Sequence, residues 1–264
     1  MVGSLRNNGL AGKVVLIASQ RSGVCIPAEM AKIFLIEGAA VQLVDTSDKI
    51  TRDVQEAVRA ALGAEVAART VDPNDLAEIG RCVSEVVRAH GRLDVLVTDI
   101  GLLEFVPHLK PFQDQSVGEW RQQYENIVER TMAWSQAVIP QMIAQGSGRI
   151  VHISSEAARV GTPGMSAYAA AKAAVAAFSR CLAVELARHA ITVNCVSLGI
   201  QEIEDRSGAS RMPIEKLEKI KKSIPLRRYG EPEEVAYMVA FLASDLGSYV
   251  TGQNLSVSGG MVMN

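Results

Sequence analysis

The chain has 264 residues, 48% hydrophobic and 21% charged, with a formal net charge of -2; it can bury a large core as a single α/β domain. That near-neutral balance offers nothing to attract nucleic acid or an anionic membrane surface, so neither is an expected partner. No run of about 18 apolar residues occurs and the opening MVGSLRNNGLAGK lacks the apolar stretch of a secretory leader, so a cytoplasmic protein is expected.

The first element is the apolar run KVVLIAS (13–19), which leads through ASQRSGVC into the helical pattern IPAEMAKIFLIEG. A loop between a buried strand and a helix is where nucleotide-binding α/β proteins hold phosphate, because the helix N-terminus presents unsatisfied N–H groups. Further runs follow: AAVQLVD (39–45), EVAARTVD (65–72), LDVLVTD (93–99), GRIVHISS (148–155), ITVNCVS (191–197) and QNLSVSG (253–259). Between the first six, apolar residues recur three or four apart, as in DLAEIGRCVSEVVRAHG, and this helix and the first both end in glycine. Runs apolar throughout are strands buried on both faces. The alternation therefore predicts a doubly wound parallel sheet in a three-layer α/β/α arrangement, one domain over 1–264. The one irregular region, about 198–230, follows the sixth strand and is expected to be a substrate loop or lid. Its basic residues, Lys216, Lys219, Lys221, Lys222, Arg227 and Arg228, read as the solvated face of an amphipathic helix, with a phosphate-bearing acyl carrier as the other reading.

Chemistry concentrates in YAAAK, Tyr168 to Lys172. Residues four apart on a helix share a face, and an ammonium beside a phenol favours the phenolate, easing proton exchange with an alcohol near neutral pH. Ser155 stands thirteen residues before Tyr168, at the end of GRIVHISS. If strand and helix are neighbours, two hydroxyls converge on one oxygen, as suits a carbonyl being reduced or an alcohol being oxidised. Ser154 competes, but adjacent strand residues point oppositely. His152 in the same strand is expected to be a satisfied core histidine. The four cysteines, Cys25, Cys82, Cys181 and Cys195, show neither metal-ligand nor disulfide spacing, and no metal site is expected.

With the spacing Ser155–Tyr168–Lys172, the segments SAYAAAKAAVAAFSRCLAVEL, ITVNCVSLG and PLRRYGEPEEVAYMVAFLASD, and the ending YVTGQNLSVSGG, the sequence resembles the short-chain dehydrogenases/reductases in their single-domain, Rossmann-type form, from about Lys13 to Met261. The resemblance implies that Tyr168 is the catalytic acid/base, that Lys172 tunes it and bonds the nicotinamide ribose, and that Ser155 orients the substrate oxygen. It implies a homotetramer, a small alcohol or ketone as substrate, and a cofactor held by Ser19, Arg21, Gly23, Val24, Asp45, Asp72, Gly101, Lys172 and Gly199. Asp45, closing the second strand, would take the adenosine ribose hydroxyls and repel a 2′-phosphate, which implies NAD rather than NADP; Arg21 is the feature that keeps NADP as the lesser option.

Departures from the family pattern cluster at cofactor positions. Ser19 and Cys25 stand where the loop has glycine, Asp99 where the fourth strand ends in asparagine, and Leu198 and Ile203 where a proline and a threonine are usual. Ile127 occupies the place of the relay asparagine, with Asn126 one residue away; a π-bulge would restore it. Two readings follow: an NAD(H)-dependent oxidoreductase interconverting a secondary alcohol and a ketone, or a binding or regulatory protein that keeps the fold with a weakened cofactor loop. Non-redox chemistry on the same serine and tyrosine is a third.

Overall fold

The computed structural model of the protein describes residues 8–20, 24–101, 110–201 and 214–263. Seven strands form one parallel sheet: β1 (Val14–Gln20), β2 (Ala40–Asp45), β3 (Ala67–Thr70), β4 (Val95–Ile100), β5 (Gly148–Ser155), β6 (Ile191–Leu198) and β7 (Asn254–Val257). Their order is β3-β2-β1-β4-β5-β6-β7, so the winding reverses between β1 and β4. Ligands of open α/β sheets bind at the carboxyl edge beside such a reversal.

Eight α-helices are described: α1 (Cys25–Ile36), α2 (Asp48–Leu62), α3 (Leu76–His90), α4 (Val117–Gln123), α5 (Arg130–Gln145), α6 (Ser166–Leu186), α7 (Ile214–Ser223) and α8 (Pro232–Ala243). Strand side chains alternate between two cores. Val15 and Ile17 of β1 face α1, α2 and α8 through Met30, Phe34, Val54 and Val239; Val14 and Leu16 face α3, α5 and α6 through Ile79, Trp134, Val138 and Leu182. Burial on both faces is why the strands read as continuous apolar runs, each large side chain contributing about 1.5–3 kcal/mol. The glycines expected to stop α1 and α3, Gly38 and Gly91, lie at φ 82° and 73°, where a Cβ is disfavoured.

Two boundaries differ from expectation in useful ways. β1 runs through Gln20 rather than stopping at Ser19, because Ser19 and Gln20 still pair with Asp99 and Ile100. α6, continuing to His189, is long and apolar enough by itself to cross a bilayer, yet it lies against the sheet with Lys172, Ser179 and Leu182 buried. Of the expected lid, α7 is described, while Ile203 and Met212 lie outside the described residues. Its charges are partly taken up locally: Lys221 lies 3.8 Å from Glu218 and its Nζ sits 5.1 Å from the ring centroid of Tyr229, and Arg228 pairs with Glu234 at 2.5 Å. That suits the solvated-face reading.

Candidate active site

The end of β5 and the first turns of α6 bring the three chemistry-bearing residues to one edge. Strand alternation separates the two serines as expected. Ser154 turns toward α6, where its hydroxyl donates to the Lys172 carbonyl at 3.3 Å. Ser155 faces the other way and is half-buried; its Oγ accepts the Ala157 N–H at 3.2 Å and caps the single 3-10 turn Glu156–Ala158. Acting there as an acceptor leaves the hydroxyl proton to point at a ligand.

Tyr168 and Lys172 stand one helical turn apart on α6. Lys172 is 2% exposed, and its Nζ donates to the carbonyls of Ile100 at 2.6 Å and Ile153 at 2.9 Å. Backbone oxygens of β4 and β5 thus hold a buried cation where the two strands end, and that cation lies 5.9 Å from the centroid of the Tyr168 ring. Gly101 follows directly: a Cβ there would stand 3.3 Å from the Lys172 ammonium, so glycine lets the chain leave β4 past it.

Between α4 and α5 the helix makes a π turn, Tyr124–Glu129, the bulge that the sequence required if Asn126 was to be re-aimed. Asn126, Ile127 and Val128 are all buried there. Ile127 packs with Ala171, Val175 and Cys195, and Tyr168 packs against that cluster. The isoleucine therefore backs the tyrosine with apolar surface.

His152 is a core residue, as expected. It is fully buried, with Nδ1 2.7 Å from Thr98 Oγ1 and Nε2 3.4 Å from Ser135 Oγ. Burial, and secondly the charge of Lys172, push its pKa down to about 3, so the ring is neutral.

The other half of the edge lies across β2, β1 and β4. Asp45 is 2% exposed; its Oδ1 accepts the Ser47 N–H at 3.0 Å, and its Oδ2 has no hydrogen-bond partner among the described residues. Burial raises its pKa to about 6, and the nearby Asp99 adds to that; the N–H groups of Ser47 and Thr46 oppose it. The Ser19 hydroxyl also favours the ionised carboxyl, but its Oγ makes no hydrogen bond of good geometry and is equally buried. Ser19 keeps a negative φ, so the strand tolerates it without the glycine. Buried polar atoms left open at a carboxyl edge fit a ligand rich in hydroxyl groups, and a nucleoside ribose is one.

Val24 precedes α1 in helical conformation without a side-chain cap, and Cys25 is the first helical residue. The first turn offers the N–H groups of Cys25 and Ile26 to an anion, and none from Pro27. Arg21 and Gly23 lie outside the described residues. Asp72 is exposed and its Oδ1 accepts the Asn74 N–H at 2.9 Å, opening the turn into α3. Gly199 is explained by packing: a Cβ would meet Ser258 Cα at 2.7 Å, and its N–H donates to the Val257 carbonyl at 3.0 Å.

One residue escaped the sequence reading. Arg130, at the start of α5, donates to Gln20 Oε1 at 3.0 Å and Asn74 Oδ1 at 3.2 Å, with Asp72 acting on its charge. It stitches the end of β1 to the turn before α3. No local motif marks it, since its partners lie far away in sequence.

The profile of a family described as Enoyl-(Acyl carrier protein) reductase matches residues 18–262. The 3-oxoacyl-[acyl-carrier-protein] reductase FabG of Thermotoga maritima is 35% identical over 255 residues, 96% of this chain and 99% of that one. The 2,5-dichloro-2,5-cyclohexadiene-1,4-diol dehydrogenase LinX of Sphingobium indicum is 31% identical over 253 residues, 96% and 97% of the two chains. A solved short-chain dehydrogenase/reductase from Serratia marcescens superposes with a TM-score of 0.82 at 32% identity, covering 96% of this chain and 98% of its own. The chain belongs to the short-chain dehydrogenase/reductase family, NAD(P)-using oxidoreductases, and is an enzyme that interconverts a secondary alcohol and a ketone.

Proposed function

We propose that the enzyme is NAD(H)-dependent and that Ser155, Tyr168 and Lys172 carry its reaction. The observation that carries this reading is the buried Lys172 ammonium, moored by two backbone carbonyls beside the Tyr168 ring. The nicotinamide cofactor, when bound, supplies or accepts the hydride. Tyr168 gives its phenolic proton to the ketone oxygen, or takes it from the alcohol in the reverse direction. Lys172 stabilises the phenolate this leaves, at short range and in a dry setting where Coulomb attraction is strong. Ser155 donates its hydroxyl proton to the same substrate oxygen and fixes its position. Asp45 and Ser19 take the adenosine ribose, the α1 N-terminus takes phosphate, and Lys172 and Gly101 border the nicotinamide end.

NADP(H) is the second reading, supported by Arg21 in the loop, and Asp45 stands against it. The non-redox alternative finds no support in relatives that are named reductases and dehydrogenases. Substrates to try first are cyclic secondary alcohols and 3-oxoacyl thioesters, the classes printed in the names of those relatives. We place the enzyme in the reducing cytoplasm on its four free thiols. We read it as a homotetramer: exposed Val184 on α6, and Tyr237 and Tyr249 around α8, are apolar surfaces that subunit contacts would cover.

The decisive experiment titrates the protein with NADH and NADPH by nicotinamide fluorescence, then follows turnover across that substrate panel. Micromolar NADH binding with turnover supports the reading; absence of binding by both dinucleotides at millimolar concentration overturns it.

A further inference from the structure

We propose that Asp99 is a second determinant of cofactor choice: Asp45, the Ser19 hydroxyl and Asp99 form a three-strand row that accepts the hydroxyls of an adenosine ribose and excludes a 2′-phosphate. The inference rests on the reading of this edge as a dinucleotide site.

Strand order and register build the row. β1 lies between β2 and β4, with Ala18 opposite Val44 and Ser19 opposite Asp99. Carrying the first register one residue further sets Ser19 beside Asp45. Neighbouring residues in a sheet share a face, and this face is that of Val15 and Ile17, Val41 and Leu43, and Val95 and Val97 below them. The three polar residues therefore replace apolar ones at the last position of three adjacent strands, and each is no more than 2% exposed. Strand spacing puts the two acidic Cα atoms about 10 Å apart, with the hydroxyl midway.

Such a row is expensive in a ligand-free protein. Two buried carboxylates repel one another, and the Ser19 Oγ and Asp45 Oδ2 lack hydrogen-bond partners among the described residues. Its natural complement brings hydroxyl donors and no negative charge, which describes the ribose of NAD(H). A 2′-phosphate, carrying a charge of about -1.5 to -2, would face two carboxylates where a single one already repels it. At an effective dielectric of about 20, a like charge some 10 Å away costs on the order of tenfold in affinity. The charged neighbours do not cancel this. Arg130 is bound to Gln20 and Asn74 with Asp72 at hand, Arg69 of β3 pairs with Glu85, and Lys172 lies beyond β4 on the carbonyls of Ile100 and Ile153.

The test measures dissociation constants for NADH and NADPH in the full-length wild type, Asp45→Asn, Asp99→Asn and the double variant, with melting curves to confirm folding. Asp45→Asn alone should leave NADPH the weaker ligand, and adding Asp99→Asn should tighten NADPH by about tenfold more while NADH changes little. Equal NADPH affinity in Asp45→Asn and the double variant would overturn the assignment of Asp99 and leave the dinucleotide reading intact. Failure of the wild type to bind either dinucleotide would overturn both. Should the double variant not fold, Asp99→Asn alone decides: NADPH affinity rises if the row acts as proposed, and an unchanged value refutes it.

Discussion

The two ends of the carboxyl edge are built on opposite principles. At the β5–α6 end the polar groups are held by the protein: Lys172 by two strand carbonyls, Ser154 by the helix backbone, Ser155 by its own turn. At the β2–β1–β4 end a hydroxyl and a carboxylate oxygen are buried without partners, and a second carboxylate lies nearby. The contrast teaches where rigidity is needed. A proton moves at a preset geometry only if its donors are fixed before substrate arrives, whereas a site for a large ligand can leave its last hydrogen bonds for the ligand to complete.

The sharpest way to break this comparison is Tyr168→Phe. Turnover should fall by about 10²–10⁴ while the melting temperature holds; normal turnover would remove the chemistry from this end altogether. Next comes the serine pair. Ser155→Ala should lower kcat by about 10², whereas Ser154→Ala should spare kcat and cost about 1 kcal/mol of stability, measured by denaturant unfolding. Equal kinetic effects would mean that strand alternation does not sort the two hydroxyls.

At the other end the expected effect is on stability, and its sign is distinctive. Folding raises the Asp45 pKa from 3.8 to about 6, so the ionised form is disfavoured in the folded state. The stability this group contributes is complete below the unfolded value and is lost as pH rises through about 6. Asp45→Asn should therefore stabilise the ligand-free protein by on the order of 2 kcal/mol near neutral pH, and the gain should vanish near pH 4. His152 runs the other way: lowered from 6.5 to about 3, its contribution is full above about 6.5 and is lost on acidification. A wild-type stability profile that peaks between these windows would fit both. The smallest effect belongs to Cys25→Gly, which should tighten NADH by about threefold by removing a side chain from the first turn of α1; looser binding would show that the thiol contributes a contact.

Much of this was legible in the chain. Apolar runs buried on both faces located all seven strands, and the Ser155–Tyr168–Lys172 spacing placed the trio on β5 and α6, since strand and helix periodicities are local properties. The π turn at Tyr124–Glu129 was foreseen only as what Asn126 would require. What stayed hidden depends on register and on distant partners. That β1 continues through Gln20, that Ser19 and Asp99 sit side by side, and that Arg130 reaches Gln20 all follow from how strands align across the sheet. No window of sequence contains both halves of those contacts.

The mooring of Lys172 has one more consequence. Its ammonium closes the seam between β4 and β5, the central joint of the sheet, so the two strands cannot part without releasing the charge that serves the tyrosine. Heating should therefore extinguish activity and melt the sheet together, leaving no half-open form of the enzyme that still turns over.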